Sequence, residues 1–190
     1  MKYCAASSSL AQAARLLRHG GVVAYPTEAV WGLGCDPFNP SAVQRILSLK
    51  QRPIEKGLIM IAANINQCSQ FLDGLSEQML ARLTAATDKP TTWIIPNNGS
   101  VPPWICGQHA SFALRITKHP YAKALCELAG GAIVSTSANP ASKPEARTRI
   151  QLMNYFPEGI DVIAPGIIGQ QRSPSEIRDL QTGSILRPSL

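Results

Sequence analysis

From Ser9 onward, apolar residues recur at Leu10, Ala13, Ala14 and Leu17, the spacing of one helical face, and Gly20-Gly21 closes the run. Val22-Val23-Ala24-Tyr25 then reads as a short strand. Its end is marked by Pro26, which has no N–H to give to a ladder. A second helix is predicted with Ser41 as its cap and Val43, Ile46 and Leu47 facing inward. It stops at Arg52-Pro53, because the residue before a proline avoids helical backbone. The apolar run Leu58-Ile59-Met60-Ile61-Ala62-Ala63 supplies the next strand, over 58–62.

A helix over 76–83, carrying Met79, Leu80 and Leu83, leads to a strand at 91–95, closed by Pro96 and the turn-forming Asn97-Asn98-Gly99. Residues 111–117 alternate strictly. Phe112, Leu114 and Ile116 share one face; Ser111, Ala113, Arg115 and Thr117 share the other, so Arg115 points away from the core it borders. Pro120 suits the first turn of a helix that runs to Gly130-Gly131. Ala132-Ile133-Val134 is then a buried strand opening into Ser135-Thr136-Ser137-Ala138-Asn139. A helix near 148–156, a strand at 162–164 and a hairpin about Thr182-Gly183 complete the pattern.

Short strands alternating with helices of a few turns predict an α/β fold: one mixed sheet with helices packed on it, in one domain over 1–190. Composition narrows the class further. Hydrophobic residues make up 45% of the 190 and charged residues only 16%, against roughly 25% charged in an average soluble domain. That balance excludes wholesale disorder. The longest clean apolar run is far short of the roughly 20 residues of a membrane helix, and no secretory signal is legible, so a cytoplasmic location is expected. Eighteen Lys and Arg against twelve Asp and Glu leave a net charge of +6, which favours anionic partners such as nucleotides or RNA. Five scattered cysteines without a CxxC pair, and three isolated histidines, argue against both a disulfide framework and a zinc site.

Three segments put polar residues where a core would not choose them. In Pro26-Thr27-Glu28 a hydroxyl sits at a strand end, where it either caps a turn or donates to a ligand. In Lys50-Gln51-Arg52-Pro53, followed by Lys56-Gly57, three cations crowd a helix C-terminus. They either compensate the helix dipole or grip a polyphosphate, for which Arg offers a planar fork and Lys a mobile point charge. In Ser135–Asn139, residues 135, 137 and 139 share one face if the strand persists, giving a row of small hydrogen-bonding groups beyond a strand end. No GxxxxGK[ST] loop exists, and Gly32-Leu33-Gly34 lacks the third glycine of a dinucleotide fingerprint and reads as turn geometry. A nucleotide site must therefore be built from side chains. No GxSxG elbow or histidine-paired nucleophile supports covalent catalysis, and His119 reads as a helix-entry residue.

Taken together, Tyr25-Pro26-Thr27-Glu28, Lys50-Gln51-Arg52-Pro53, Leu114-Arg115-Ile116, Ser135-Thr136-Ser137-Ala138-Asn139 and Pro174-Ser175-Glu176-Ile177-Arg178-Asp179 closely resemble, in order and spacing, the YrdC family in its short single-domain form. The resemblance implies a twisted α/β fold with a large, positively lined concave groove. It also implies a reaction joining L-threonine, bicarbonate and ATP into L-threonylcarbamoyladenylate with release of pyrophosphate. Thr27, Lys56, Arg115, Ser135 and Ser175 would then handle threonine. Lys50, Arg52, Ser111, Ser137, Asn139 and Arg187 would hold ATP, with Lys50 and Arg52 as the catalytic residues. Mg²⁺ would be carried with ATP, with no tightly bound cofactor and no metal held by the protein. The adenylate would pass to a partner complex that modifies tRNA, with direct RNA contact a further expectation. Two segments depart from the family pattern: Asp88-Lys89-Pro90-Thr91-Thr92, with lysine in place of a glycine, and Ala141-Ser142 after Asn139 in place of Ser-Gly. Two rival readings stand beside the enzyme. One is a non-catalytic RNA-binding maturation factor, supported by charge but thin in aromatics for base stacking. The other is a family member that binds ATP or threonine without turnover.

Overall fold

In a computed structural model the described residues are 2–85, 87, 89–171 and 175–189, with the backbone alone over 2–7. Pro174 and Asp88, which belong to two of the segments above, lie outside them. The elements are α1 (Lys2–Arg18), β1 (Val23–Pro26), β2 (Trp31–Gly34), α2 (Pro40–Lys50), β3 (Ile59–Ala62), α3 (Ser69–Leu72), α4 (Glu77–Thr84), β4 (Thr91–Pro96), α5 (Pro103–Cys106), β5 (Ser111–Ile116), α6 (Pro120–Ala129), β6 (Ile133–Ser137), α7 (Arg149–Tyr155), β7 (Val162–Ile163), β8 (Glu176–Asp179) and β9 (Ile185–Arg187). The strands form one sheet in the order β7-β1-β2-β6-β3-β5-β4-β8-β9. It is mixed: β1 with β7, β3 with β5 and β4 with β8 are parallel, and the remaining neighbours are antiparallel.

The period of two along each strand sorts the apolar residues onto two cores. Met60 and Ala62 of β3, Trp93 and Ile95 of β4, and Phe112 and Leu114 of β5 enter the larger one, with α2, α3 and α7. Ile61 of β3, Tyr25 of β1 and Ile133 of β6 face the other way, under α1 and α6. Those two helices cover only part of their face. The uncovered remainder, the inner residues of β3, β5 and β6 together with β4 and β8, is where the site lies.

Local chemistry accounts for the ends of the elements. Pro120 opens α6, and Gly130, with φ 87°, closes it by donating to the carbonyls of Cys126 and Glu127. Thr148 and Gln151 form a reciprocal capping box on α7. The α2 cap differs from expectation. Asn39, not Ser41, accepts from Ala42 N–H at 3.0 Å, with Pro40 in the first turn, so Ser41 is already inside the helix. The reading of Gly32-Leu33-Gly34 as a turn is also corrected, since these residues are the body of β2. Glycine is required there by crowding. A Cβ on Gly34 would sit 2.6 Å from the Val134 carbonyl oxygen and 2.8 Å from the Tyr25 ring.

Candidate functional site

A cavity of about 500 Å³ opens on the uncovered part of the sheet, within the roughly 300–1,000 Å³ usual for small-molecule sites. Ile59, Ser111, Ala113, Arg115, Ser135, Ser137, Ile94 and Ile177 reach it from five strands. The register explains why they converge. Ile59 lies opposite both Ser135 and Ala113, and Ala113 opposite Ile94, so these side chains project from one face of adjacent strands. The strict alternation of 111–117 thus places Arg115 on the cavity side, with Phe112 and Leu114 buried behind it.

Of the eleven residues assigned to a site by the sequence, Thr27, Arg52, Lys56, Ser111, Arg115, Ser135, Ser137, Ser175 and Arg187 line this cavity. Lys50 and Asn139 do not. Lys50 is buried below the exit of β6, where its ammonium donates to Ser137 O at 2.5 Å, Asn139 O at 2.8 Å and Asn139 Oδ1 at 3.2 Å. All three protons are engaged, so Lys50 acts as a strut under the 137–139 stretch. Asn139 completes that stretch: its Oδ1 accepts from the Ser137 hydroxyl at 2.6 Å and its amide donates to Lys143 O at 2.7 Å.

The turn after α2 separates the two cations. Gln51 adopts left-handed backbone, φ 51°, and the N–H of Arg52 returns to Leu47 O. Arg52 is thereby thrown off the helix toward the cavity. Its Nε and Nη2 donate to Gly57 O at 3.2 and 2.9 Å, and Nη2 also reaches Lys56 O, while Nη1 has no partner among the described residues. Burial, together with the neighbouring Arg52 guanidinium, pushes the Lys50 ammonium down to about 8. Burial likewise lowers the Arg52 guanidinium.

Thr27 spends its proton locally, donating to Val30 O at 2.7 Å, which is the turn-capping alternative of the two the sequence left open and leaves its hydroxyl oxygen free only as an acceptor. The Ser175 hydroxyl shares a 2.7 Å hydrogen bond with Thr92, and Arg187 donates to Ser175 O at 2.8 Å, which ties the β8–β9 end to the cavity wall. Residues without an assigned role also line the cavity, among them Glu28, His109, Thr136 and Glu145. For Glu28 the signal was there: an acid beside Thr27 at a strand end, in a chain with few charges. Burial alone would raise its carboxyl, but the Arg115 guanidinium and the Thr117 hydroxyl outweigh that and hold it below the usual carboxylate range.

Cys106 reaches the cavity, but its thiol, like those of Cys35, Cys68 and Cys126, is buried and pushed up by that burial. None of the four has the character of a nucleophile. Among the described residues, no group of three or more His, Cys, Asp and Glu side chains is placed to hold a metal ion, and no helix is long and apolar enough to cross a membrane. The arrangement offers cations and hydroxyls converging on one concavity, a receptor for an anionic ligand with several hydrogen-bonding groups.

Comparison with known proteins finds relatives over nearly the whole chain. The family model named Sua5_yciO_yrdC, described as "Telomere recombination", matches residues 15–189. The chain is 52% identical over 178 residues to a threonylcarbamoyl-AMP synthase of Stutzerimonas stutzeri, covering 94% of this chain and 96% of that one. It is also 52% identical over 177 residues to a protein of the same name from Pseudomonas aeruginosa PAO1, covering 93% and 95%. Among solved structures it is similar to P. abyssi Sua5 complexed with L-threonine, with a TM-score of 0.84 and 32% identity over 95% of this chain, and spans 54% of that longer protein. E. coli YciO superimposes with a TM-score of 0.79 at 25% identity, covering 97% of this chain and 90% of that one.

Proposed function

The chain belongs to the Sua5–YciO–YrdC family, and on that footing we propose that it joins L-threonine, bicarbonate and ATP into L-threonylcarbamoyladenylate with release of pyrophosphate. The observation that carries this reading is the convergence of nine of the eleven residues that the resemblance assigns, from separate parts of the chain, on one cavity. The names of the relatives support it, as does the L-threonine complexed with P. abyssi Sua5.

In this reading the threonine amine and bicarbonate give a carbamate with loss of water. A carbamate oxygen then attacks the α-phosphorus in line and pyrophosphate leaves. Thr27, Lys56, Arg115, Ser135 and Ser175 hold threonine: Arg115 meets its carboxylate, and the Thr27 oxygen accepts from one of its donors. Arg52, Ser111, Ser137 and Arg187 hold ATP, and Lys50 and Asn139 act through the backbone that presents Ser137. The charge that builds on the leaving pyrophosphate is met by cations already in place, so positioning and charge neutralisation carry the catalysis. Mg²⁺ enters with the triphosphate, as part of the substrate. The adenylate then passes, in the cytoplasm, to a complex that modifies tRNA.

The test is pyrophosphate release from ATP with each co-substrate omitted in turn. Release is expected to need both threonine and bicarbonate, and to fall at least 100-fold in a folded Arg52→Ala variant, about 3 kcal/mol of transition-state stabilisation. Release that ignores threonine, or an Arg52→Ala variant as fast as the wild type, removes the proposal.

A pH dependence accompanies it. As the pH rises through about 8, Lys50 sheds a proton and is left with two donors for three oxygens. The 137–139 stretch loosens, and the rate is expected to fall on the alkaline side with a limb near pH 8. Stability moves the opposite way for this group. An unfolded lysine keeps its proton to about 10.4, so between those values the unfolded chain binds more protons and the fold gains stability. A rate profile flat to pH 10 counts against the strut.

A further inference from the structure

Glu28 belongs to a motif in which Thr27 alone received a role, yet it makes the more unusual contacts. Its Oε1 is fixed twice, accepting from Thr117 Oγ1 at 2.7 Å and from the Lys118 N–H at 3.3 Å. The Thr117 hydroxyl is itself held, because it accepts from the His119 N–H at 3.2 Å. The other oxygen, Oε2, faces Arg115 Nη2 at 3.5 Å, an ion pair too long for a normal N–H···O bond. Both side chains are almost wholly buried, 11% exposed for Arg115 and 12% for Glu28. Glu28 Oε2 and Arg115 Nε are buried without a hydrogen-bond partner among the described residues.

A pair built for stability would not look like this. Buried charges are costly, and the cost is offset only when the remaining donors and acceptors are satisfied. Here one partner is anchored and the other is not. Glu28 is clamped to the end of β5, whereas the Arg115 guanidinium makes no other ion pair and no hydrogen bond with the described residues. Arg115 and Thr117 lie two residues apart on the same face of the extended chain, so the carboxylate from the β1–β2 turn bridges that row. One contact thus ties the turn carrying Thr27 to the strand carrying Arg115, two segments that line the same cavity.

We propose that Glu28 is a positioning residue: clamped by Thr117 and the Lys118 N–H, its carboxylate holds the buried Arg115 guanidinium in the orientation that receives the carboxylate of the amino-acid substrate. The proposal rests on the reading of the site as a threonine site. Glu28 acts through Arg115 and touches neither ATP nor the reacting atoms.

The experiment measures the KM for threonine and for ATP, with kcat, in pyrophosphate release by wild type, Glu28→Gln, Arg115→Lys and the double variant. Glu28→Gln is expected to raise the KM for threonine at least tenfold while the KM for ATP stays within threefold. In the Arg115→Lys background the same substitution should add less than threefold, because the group it orients is already gone. If Glu28→Gln does not fold, Thr117→Val carries the test. It removes only the clamp on Oε1 and should raise the threonine KM about threefold with ATP unaffected. An unchanged or lowered threonine KM overturns the proposal, the lowered value meaning that Glu28 competes with the ligand for Arg115. Equal rises for both substrates, or additive effects in the double variant, overturn it as well. Wild-type protein with no threonine-dependent release would instead overturn the reading of the site itself.

Discussion

Lys50→Met is expected to cost the protein both its activity and a measurable part of its stability. Methionine matches the side chain up to Cε and keeps most of its packing below β6 but brings no donor, so Ser137 O, Asn139 O and Asn139 Oδ1 lose their shared partner at once. Hydrogen bonds to a charged group contribute roughly 1.5–3 kcal/mol each, offset here by the relief of burying a charge. A net loss of about 3 kcal/mol is therefore expected, roughly 6–12 °C in Tm for a chain of this size. Because the 137–139 stretch presents Ser137 to the cavity, pyrophosphate release should fall at least 100-fold. Calorimetry and the release assay on the same preparation decide the matter. A Lys50→Met variant that melts with the wild type but does not turn over would mean that the ammonium serves the nucleotide directly and that the strut is incidental.

The position of Lys50 was itself legible in the pattern of residues. Val43, Ile46, Leu47 and Lys50 follow one helical stripe, so the lysine continues the buried face of α2 while Arg52, beyond the left-handed Gln51, leaves it. What composition could not reveal was the acceptor set, because the Ser137 and Asn139 carbonyls come from a strand end nearly ninety residues away in the chain. The same division holds across the fold. Where one local rule dominates, as in the alternation of 111–117 or the Pro120 and Gly130 bounds of α6, the element and its facing were both readable. Where a distant contact decides, they were not. Glycines 32 and 34 look like a turn until the Tyr25 ring and the Val134 carbonyl are seen to crowd out a side chain at Gly34. The family resemblance assigned nine residues of the cavity wall, whereas Glu28, whose signal was only its charge beside Thr27, gained a role once Thr117 and Arg115 were brought against it.

Gly107→Ala should be among the most disruptive single-methyl additions in the molecule. Gly107 sits at φ 66° and ψ −132°, a region that residues with a side chain rarely adopt, and its Cβ would overlap the Glu55 carbonyl oxygen and lie 2.6 Å from Gly57 N. All of these neighbours are backbone, so nothing can swing aside. The two segments are also joined by Leu58 N–H donating to Ile105 O at 2.8 Å and Gln108 N–H to Glu55 O at 3.1 Å. Strain of about 1–3 kcal/mol from the backbone conformation alone, with the steric overlap added, predicts a loss of at least ~3 kcal/mol in denaturant unfolding. The effect should extend to function, because Arg52 is oriented by donating to Gly57 O and Lys56 precedes that glycine directly. The KM for ATP is expected to rise tenfold or more in whatever fraction folds. Gly130→Ala is the control: it also has positive φ, but an added Cβ meets nothing within 4 Å, so its cost should be only about 1 kcal/mol, with kinetics unchanged. If the two substitutions prove equally mild, the backbone-to-backbone contact between 55–57 and 105–108 does not hold the cationic loop in place, and the orientation of Arg52 must come from the ligand.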